Sequence, residues 1–333
     1  MLGQKLDTDA LYEKIGQIMD SQGNTSDHND IIREMIFMAV GLSEDPISKN
    51  DIKTLYSAFR EMKDALEFFS PFTEIKKVSV FGSARTLPDE PIYTHAADFS
   101  RKMTRAGFMV ITGAGDGIMR AVQGGAGREK SFGLNIILPF EQAANEYIEN
   151  DPKLITFKYF FTRKLFFVKE ANALAFFPGG FGTHDEGFET LTLLQTGKSN
   201  PAPVVFIDTP GGSHWKDWFS YINDRLLRKG LISPEDMNLF EITDSIDTAV
   251  YEIMHFYKNY HSMQFINGDT VIKLKQSLTN QQLEQLNDLF SDIIVTGKIV
   301  QEDSMAQLLF QFNRRNFGRL RELINAINDG VTK

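Results

Sequence analysis

Residues 178–186 read Pro-Gly-Gly-Phe-Gly-Thr-His-Asp-Glu, directly after the apolar run at 173–177. Gly179, Gly180 and Gly182 leave the backbone bare where a helix begins, so its first amides can face an anion. Glu186 and Glu189 follow at a spacing that stacks both carboxyls on one helix face. One reading is structural: Thr183 and Glu186 match a capping box, threonine capping the helix and the glutamate returning to the cap amide. That reading explains neither the three glycines nor Glu189. The other is chemical: a phosphorylated ligand sits on the bare turn while a carboxylate works beside it.

Two further stretches bear on that choice. In 158–173, KYFFTRKLFFVKEANA, Arg163 and Lys164 fall near a helix start, with Thr162 as a candidate cap. Cations in a first turn oppose the helix dipole, at a cost of roughly 0.3–1 kcal/mol each when exposed. Either a ligand anion compensates them, or the helix begins earlier, or acids such as Glu170 pair with them. The turn TGAGDG at 112–117 spaces its glycines G-x-G-x-G, and the next strand ends without the acid that would bind a cofactor ribose. Its Gly113 and Gly115 therefore read as phosphate-facing amides and not as a dinucleotide fingerprint. Gly82 and Ser83 form a similar turn.

Placing these turns requires a scaffold. Short, mostly apolar runs at 78–82, 108–112, 134–138, 173–177 and 203–207 read as strands covered on both faces. Helical stretches fall between most of them, which predicts a doubly wound, Rossmann-like parallel α/β sheet with ligands beyond the strand carboxyl ends. The glycine turns fall at those ends. Residues 1–75 show helical periodicity and read as a helical extension, a cap or a dimer contact, with the polar stretch 20–30 separating helices. Residues 76–262 read as the Rossmann-like domain that carries these turns. Residues 263–333 read as a small α+β domain: a hairpin about Asn267-Gly268, a helix over 283–293, strands at 297–301 and 308–312, and a helix from 317 to 327. Arg314, Arg315, Arg319 and Arg321 there read as a solvated helix face, or alternatively as an anion site.

Composition narrows the class. The chain has 333 residues, a net charge of -9 and no cysteine. Nucleic-acid polymers and anionic membranes are therefore not expected partners, and disulfides and thiolate metal sites are excluded. The run 31–42 is too short to span a bilayer and holds Arg33 and Glu34. The first residues lack the blocks of a signal peptide, so a cytoplasmic protein is expected. Histidines and acids do not cluster at ligand spacing, and neither a metal nor a cofactor is expected.

The motif P-G-G-x-G-T-x-x-E at 178–186, preceded by Arg163-Lys164, resembles the Lonely Guy (LOG) family, often mislabelled lysine decarboxylase. VFGSAR at 80–85 and TGAGDGIM at 112–119 fall where that family has its first two glycine turns. The resemblance covers about 76–260, and 133–145 is similar to the longer bacterial nucleotide nucleosidases. Ala114 and Asp116 in the second turn, and His184, depart from the pattern and bear on base preference.

The resemblance implies an N-glycosyl hydrolase that cleaves a nucleoside 5′-monophosphate into free base and ribose 5-phosphate. It carries catalytic roles onto Arg163 and Glu186, and a phosphate cradle onto Gly180, Gly182 and Thr183, with Ser83 contributing. It also implies a homodimer or higher homo-oligomer. An oxocarbenium-like ribose is stabilised by a carboxylate such as Glu186. Arginine is no practical proton donor, so Arg163 holds phosphate or ribose, or steadies Glu186. Asp116, Asp185 and Glu189 are candidates to protonate the leaving base, and Lys164 is a supporting cation. The alternative is a non-catalytic carrier or sensor of a nucleotide or pterin-type cofactor, which would not need the sugar-side carboxylate.

Overall fold

The computed structural model describes residues 8–21, 28–139, 143–302 and 306–331. Parts of two stretches read above, 22–27 within 20–30 and 140–142 within 133–145, lie outside the described residues. The chain divides into two compact units, Met1–Lys63 and Asp64–Lys333.

The first unit is helical: α1 (Thr8–Ser21), α2 (Asn29–Gly41) and most of α3 (Lys49–Phe69). Tyr12 meets Phe37 edge to face at 5.7 Å, and Arg33 lies over the Tyr12 ring. Ile15 and Met19 are buried. The apolar periodicity of all three helices is thus realised, but many of their apolar side chains remain exposed.

The second unit is built on a seven-stranded, all-parallel sheet. Its strands are β1 (Lys77–Phe81), β2 (Met109–Thr112), β3 (Ser131–Ile136), β4 (Leu154–Phe157), β5 (Ala173–Phe176), β6 (Val204–Ile207) and β7 (Glu241–Thr243), in the order 4-3-2-1-5-6-7. Helices α4 (Pro91–Arg105), α5 (Ile118–Ala126), α6 (Phe160–Lys169), α7 (Phe181–Gln195) and α8 (His214–Tyr221) lie between successive strands, and α9 (Ile246–Phe256) follows β7. This is the expected doubly wound α/β fold. The order reverses between β1 and β5, where a crevice opens.

β4 and β7 have no counterpart in the sequence reading. They are four- and three-residue edge strands with mixed burial, too short to show a period. β3 begins earlier than expected, at Ser131, because Ser131 and Phe132 already pair with Val110 and Ile111.

Each face of the sheet carries a core. On one, Phe99, Val110, Ile118 and Ile253 pack together. On the other, Phe132, Phe166, Phe176, Phe206 and Trp215 do so, and Phe69 at the end of α3 stacks into that group against Phe166.

After α9 the chain forms an antiparallel sheet of β8 (Tyr260–Ile266), β9 (Asp269–Leu274), β10 (Val300–Glu302) and β11 (Gln307–Phe310), in the order 10-11-9-8. Asn267 and Gly268 both take positive φ in the hairpin turn, as the dipeptide predicts. Helices α10 (Asn280–Leu289) and α11 (Phe317–Asp329) cover this sheet. Their buried residues are continuous with the first core: Ile272, Leu308, Leu320 and Ile324 belong to the same cluster as Val78 and Val110.

Neither reading of the C-terminal arginines holds for Arg321. It is buried, bonded to Glu252 on α9, and its guanidinium lies over Phe256. Arg319 pairs with Asp292 and Glu322. Only Arg314 and Arg315 are exposed.

Removing one partner of a buried ion pair leaves the other charge uncompensated, at a cost of about 3–5 kcal/mol. Glu252→Ala should therefore lower the unfolding free energy by that order. Arg321→Met, which removes the buried charge itself, should cost less. Guanidinium unfolding curves of the two variants check the ranking.

Candidate active site

The crevice at the reversal point holds a cavity of about 790 Å³. Three turns build its floor, and they are tied to one another. The Ser83 amide donates to the Pro178 carbonyl at 3.1 Å, and the Ile118 amide donates to the Ser83 carbonyl at 2.9 Å. These bonds fasten the turn after β1 to the turns after β5 and β2. The glycines allow the close approach. A Cβ on Gly179 would collide with the Thr183 hydroxyl, and one on Gly117, which has φ +65°, with the Ser83 carbonyl. The second turn is anchored from below by buried Asn145, whose side-chain amide donates to the carbonyls of Ala114 and Gly115 and to Gln123.

Of the cradle residues expected from sequence, Gly82, Ser83, Gly113, Gly179, Gly180, Gly182 and Thr183 line this one cavity. Gly115 does not, and its carbonyl is taken up by Asn145. Nothing lies within 4 Å of a Cβ added to Gly180 or Gly182, so their bareness leaves open space over the start of α7.

Gly180 is the N-cap of α7. Its carbonyl accepts from the amides of Thr183 and His184, which leaves the amides of Phe181 and Gly182 ahead of the first intrahelical bonds. The capping-box reading of Thr183 and Glu186 is thereby corrected. Thr183 is three residues inside the helix, and the cap makes no side-chain hydrogen bond. The glycine, which needs no side chain to start the turn, moved the boundary.

A similar correction applies to α6. It begins at Phe160 with Tyr159 as its cap, and the Thr162 hydroxyl donates back to the Tyr159 carbonyl. Arg163 and Lys164 therefore sit past the most dipole-sensitive positions. Arg163 Nε donates to the Leu134 carbonyl at 2.7 Å, and its guanidinium lies 5.1 Å above the Phe167 ring. The guanidinium occupies the place a Cβ on Gly113 would take. Burial lowers its pKa to about 10, opposed by the charge of Glu186; it remains a cation at neutral pH. Glu170 pairs with Lys169 instead.

Lys164 is compensated by the chain's own acids. Its Nζ lies 2.7 Å from Glu189, 2.9 Å from Asp185 and 3.7 Å from Glu186. Glu186 is 8% exposed, and its Oε2 is buried with no hydrogen-bond partner. Burial pushes its carboxyl up to about 7, Lys164 pulls it down, Glu189 pushes it up, and Arg163 pulls it down. Both Glu186 and Arg163 line the cavity.

Lys164, Glu189 and Asp116 do not line it, whereas Asp185 does. Asp116 is exposed, and Glu189 is engaged by Lys164. Of the three acids considered for the leaving base, only Asp185 shares the cavity with Glu186. Arg85, Met119, Phe160, Phe167, Phe181 and His184 also line the cavity. Arg85 stood in the quoted VFGSAR, yet one cation after a turn gives no periodic signal. Among the described residues, no group of three or more histidines and acids is placed to hold a metal ion.

These features define a doubly wound, Rossmann-like α/β protein whose reversal point carries a cavity lined by glycine turns, a buried arginine and a buried carboxyl. Residues 116–253 match the family described as possible lysine decarboxylase, the Lonely Guy (LOG) family that the motif at 178–186 resembles. No curated protein matches the chain. Among solved structures, the target TM1055 aligns at 23% identity over 54% of this chain and 99% of its own, with a TM-score of 0.40. The molybdenum cofactor carrier protein of Chlamydomonas reinhardtii aligns at 16% identity over 54% of this chain and 96% of its own, TM-score 0.38. The DNA processing protein A of Helicobacter pylori aligns at 14% identity over 56% and 83%, TM-score 0.39.

Glu186 carries a stability signature. Its ordinary value of 4.5 is raised to about 7 in the folded chain. The folded state therefore keeps a proton that the unfolded chain releases, and stability falls as pH rises from 4.5 to 7. The loss is on the order of 3 kcal/mol. Glu186→Gln removes this penalty and disturbs no cap. Its melting temperature should exceed that of the wild type at pH 8, and the gap should close towards pH 4.5. Thermal unfolding across that range reads the difference.

Proposed function

We propose that this chain hydrolyses the N-glycosidic bond of a nucleoside 5′-monophosphate, releasing a free base and ribose 5-phosphate. The observation that carries the reading is the Glu186 carboxyl, buried with one unpartnered oxygen, facing the same cavity as Arg163 and the bare start of α7.

The 5′-phosphate rests on the amides of Phe181 and Gly182, beside Thr183 and the Ser83 turn, where helix dipole and free donors favour an anion. Arg163 extends over the sugar or phosphate from the other wall. Cleavage breaks the C1′–N bond and leaves positive charge on the ribose. Ionised Glu186 stabilises that charge and orients a water. The water gives its hydroxyl to C1′ and its proton, through a carboxylate, to the departing base; Asp185 is the acid placed to assist. With a pKa of about 7, Glu186 is poised to take and return a proton.

Glu186→Gln keeps the shape and removes the charge, so kcat should fall by roughly 10²–10⁴ while binding of the monophosphate persists. Near-wild-type turnover would reject the assignment. Binding with no turnover in the wild type would favour a carrier of a nucleotide or pterin-type ligand. Release of free base, followed by chromatography over a panel of monophosphates, measures both.

The ionised carboxylate is the active form, so kcat/KM should rise about tenfold per pH unit below pH 7 and level off above it. Lys164→Met removes the cation that favours ionisation and should move this rise to higher pH. A matched nucleoside lacking the 5′-phosphate should be a far poorer substrate, since the cradle then contributes nothing. Equal kcat/KM for AMP and adenosine would remove the cradle from the account.

A further inference from the structure

Arg85 and Arg163 both line the cavity, but they are in different states. Arg163 is committed to the protein. Its Nε is bonded to the Leu134 carbonyl, its guanidinium lies over the Phe167 ring, and it fills the space above Gly113. Arg85 is exposed, and among the described residues no carboxylate pairs with it. It is tied to its turn through the backbone, the Arg85 amide donating to the Ser83 hydroxyl oxygen at 3.0 Å. The N–H donors of its guanidinium are left for a ligand.

The junction of the three turns sets where Arg85 stands. The Ser83 amide is bonded to the Pro178 carbonyl, and a Cβ on Gly179 would come within 3.1 Å of the Ser83 nitrogen. A Cβ on Gly117 would meet the Ser83 carbonyl and Ala84. Residues 83–85 are therefore held beside Gly179, next to the cap of α7. A phosphate dianion on the amides of Phe181 and Gly182 meets only about half a positive charge from the helix dipole. Asp185 and Glu186 oppose that anion from the same cavity. The cradle thus calls for a full cation, and Arg85 is the lining arginine free to turn towards it. Its planar fork matches phosphate oxygens two at a time. The Ser83 hydroxyl accepts from the Arg85 amide and keeps its own proton to donate to the same phosphate.

We propose that Arg85 is the counter-ion of the ligand's phosphate, while Arg163 serves the sugar. The assignment rests on the reading of the cradle as a 5′-phosphate site and divides the work between the two arginines. A contact to the phosphate is the same before and during cleavage at C1′, so Arg85 contributes to binding and not to the chemical step.

Ribose 5-phosphate is the probe, because it carries phosphate and sugar without a choice of base and without turnover. Calorimetry on the full chain should show saturable binding, and ribose should bind far more weakly. Arg85→Met keeps an apolar stem and should weaken ribose 5-phosphate by roughly tenfold to a hundredfold, the range for a hydrogen bond to a charged group. Arg85→Lys should recover part of the loss. Raising salt from about 0.02 M to about 0.2 M should weaken binding to the wild type more than to Arg85→Met, because an exposed charge is screened. With any monophosphate that the chain hydrolyses, Arg85→Met should raise KM by a similar factor and leave kcat within about threefold. A wild-type chain that does not bind ribose 5-phosphate overturns the phosphate reading and the assignment together. Wild-type binding that Arg85→Met leaves unchanged overturns the assignment of Arg85 alone. A variant that loses kcat with no rise in KM does the same.

Discussion

The hydrogen bond from the Ser83 amide to the Pro178 carbonyl joins the turns after β1 and β5, and the bond from the Ile118 amide to the Ser83 carbonyl adds the turn after β2. Neighbouring strands of a parallel sheet end side by side, but their loops need not touch. Here they do, because Gly117 and Gly179 have no Cβ where the Ser83 carbonyl and the Thr183 hydroxyl stand. Three segments far apart in sequence become one floor. The start of α7, Arg163 and Glu186 line the same cavity.

On that floor, burial and charge divide the acidic residues into different states. Glu189 and Asp185 hold Lys164 at hydrogen-bond distance, while Glu186 lies farther off at 3.7 Å and deeper. The two better-solvated acids take most of the cation's attention. Glu186 is left with one bare oxygen and a pKa near neutrality. A cluster of three carboxyls and one lysine thus leaves one acid whose pKa is raised by burial.

The C-terminal addition is bound into this scaffold. The C-terminal sheet and α11 share their buried cluster with the main sheet, and the buried Arg321–Glu252 pair sits within the same unit. This addition thickens the core.

The local sequence determined what depends on near neighbours. Apolar runs marked five of the seven parallel strands, Asn267-Gly268 marked the hairpin, and the glycine turns marked the end of the sheet where the cavity lies. The cradle glycines, Arg163 and Glu186 were legible because motif spacing and helix periodicity act over a few residues. The edge strands β4 and β7 were not legible, since three or four residues show no period until a partner strand supplies their hydrogen bonds. The helix boundaries at Gly180 and Phe160 also escaped, and with them the capping box. A cap is chosen by how the preceding turn packs, and Gly179 lies close against the Thr183 side chain. Whether an acid is poised, paired or solvated was decided only by tertiary structure. Glu186, Glu189, Asp185 and Asp116 are the same chemistry in sequence, and only burial and the distance to Lys164 separate them. Desolvation and Coulomb energies depend on positions in space, which the chain order does not contain.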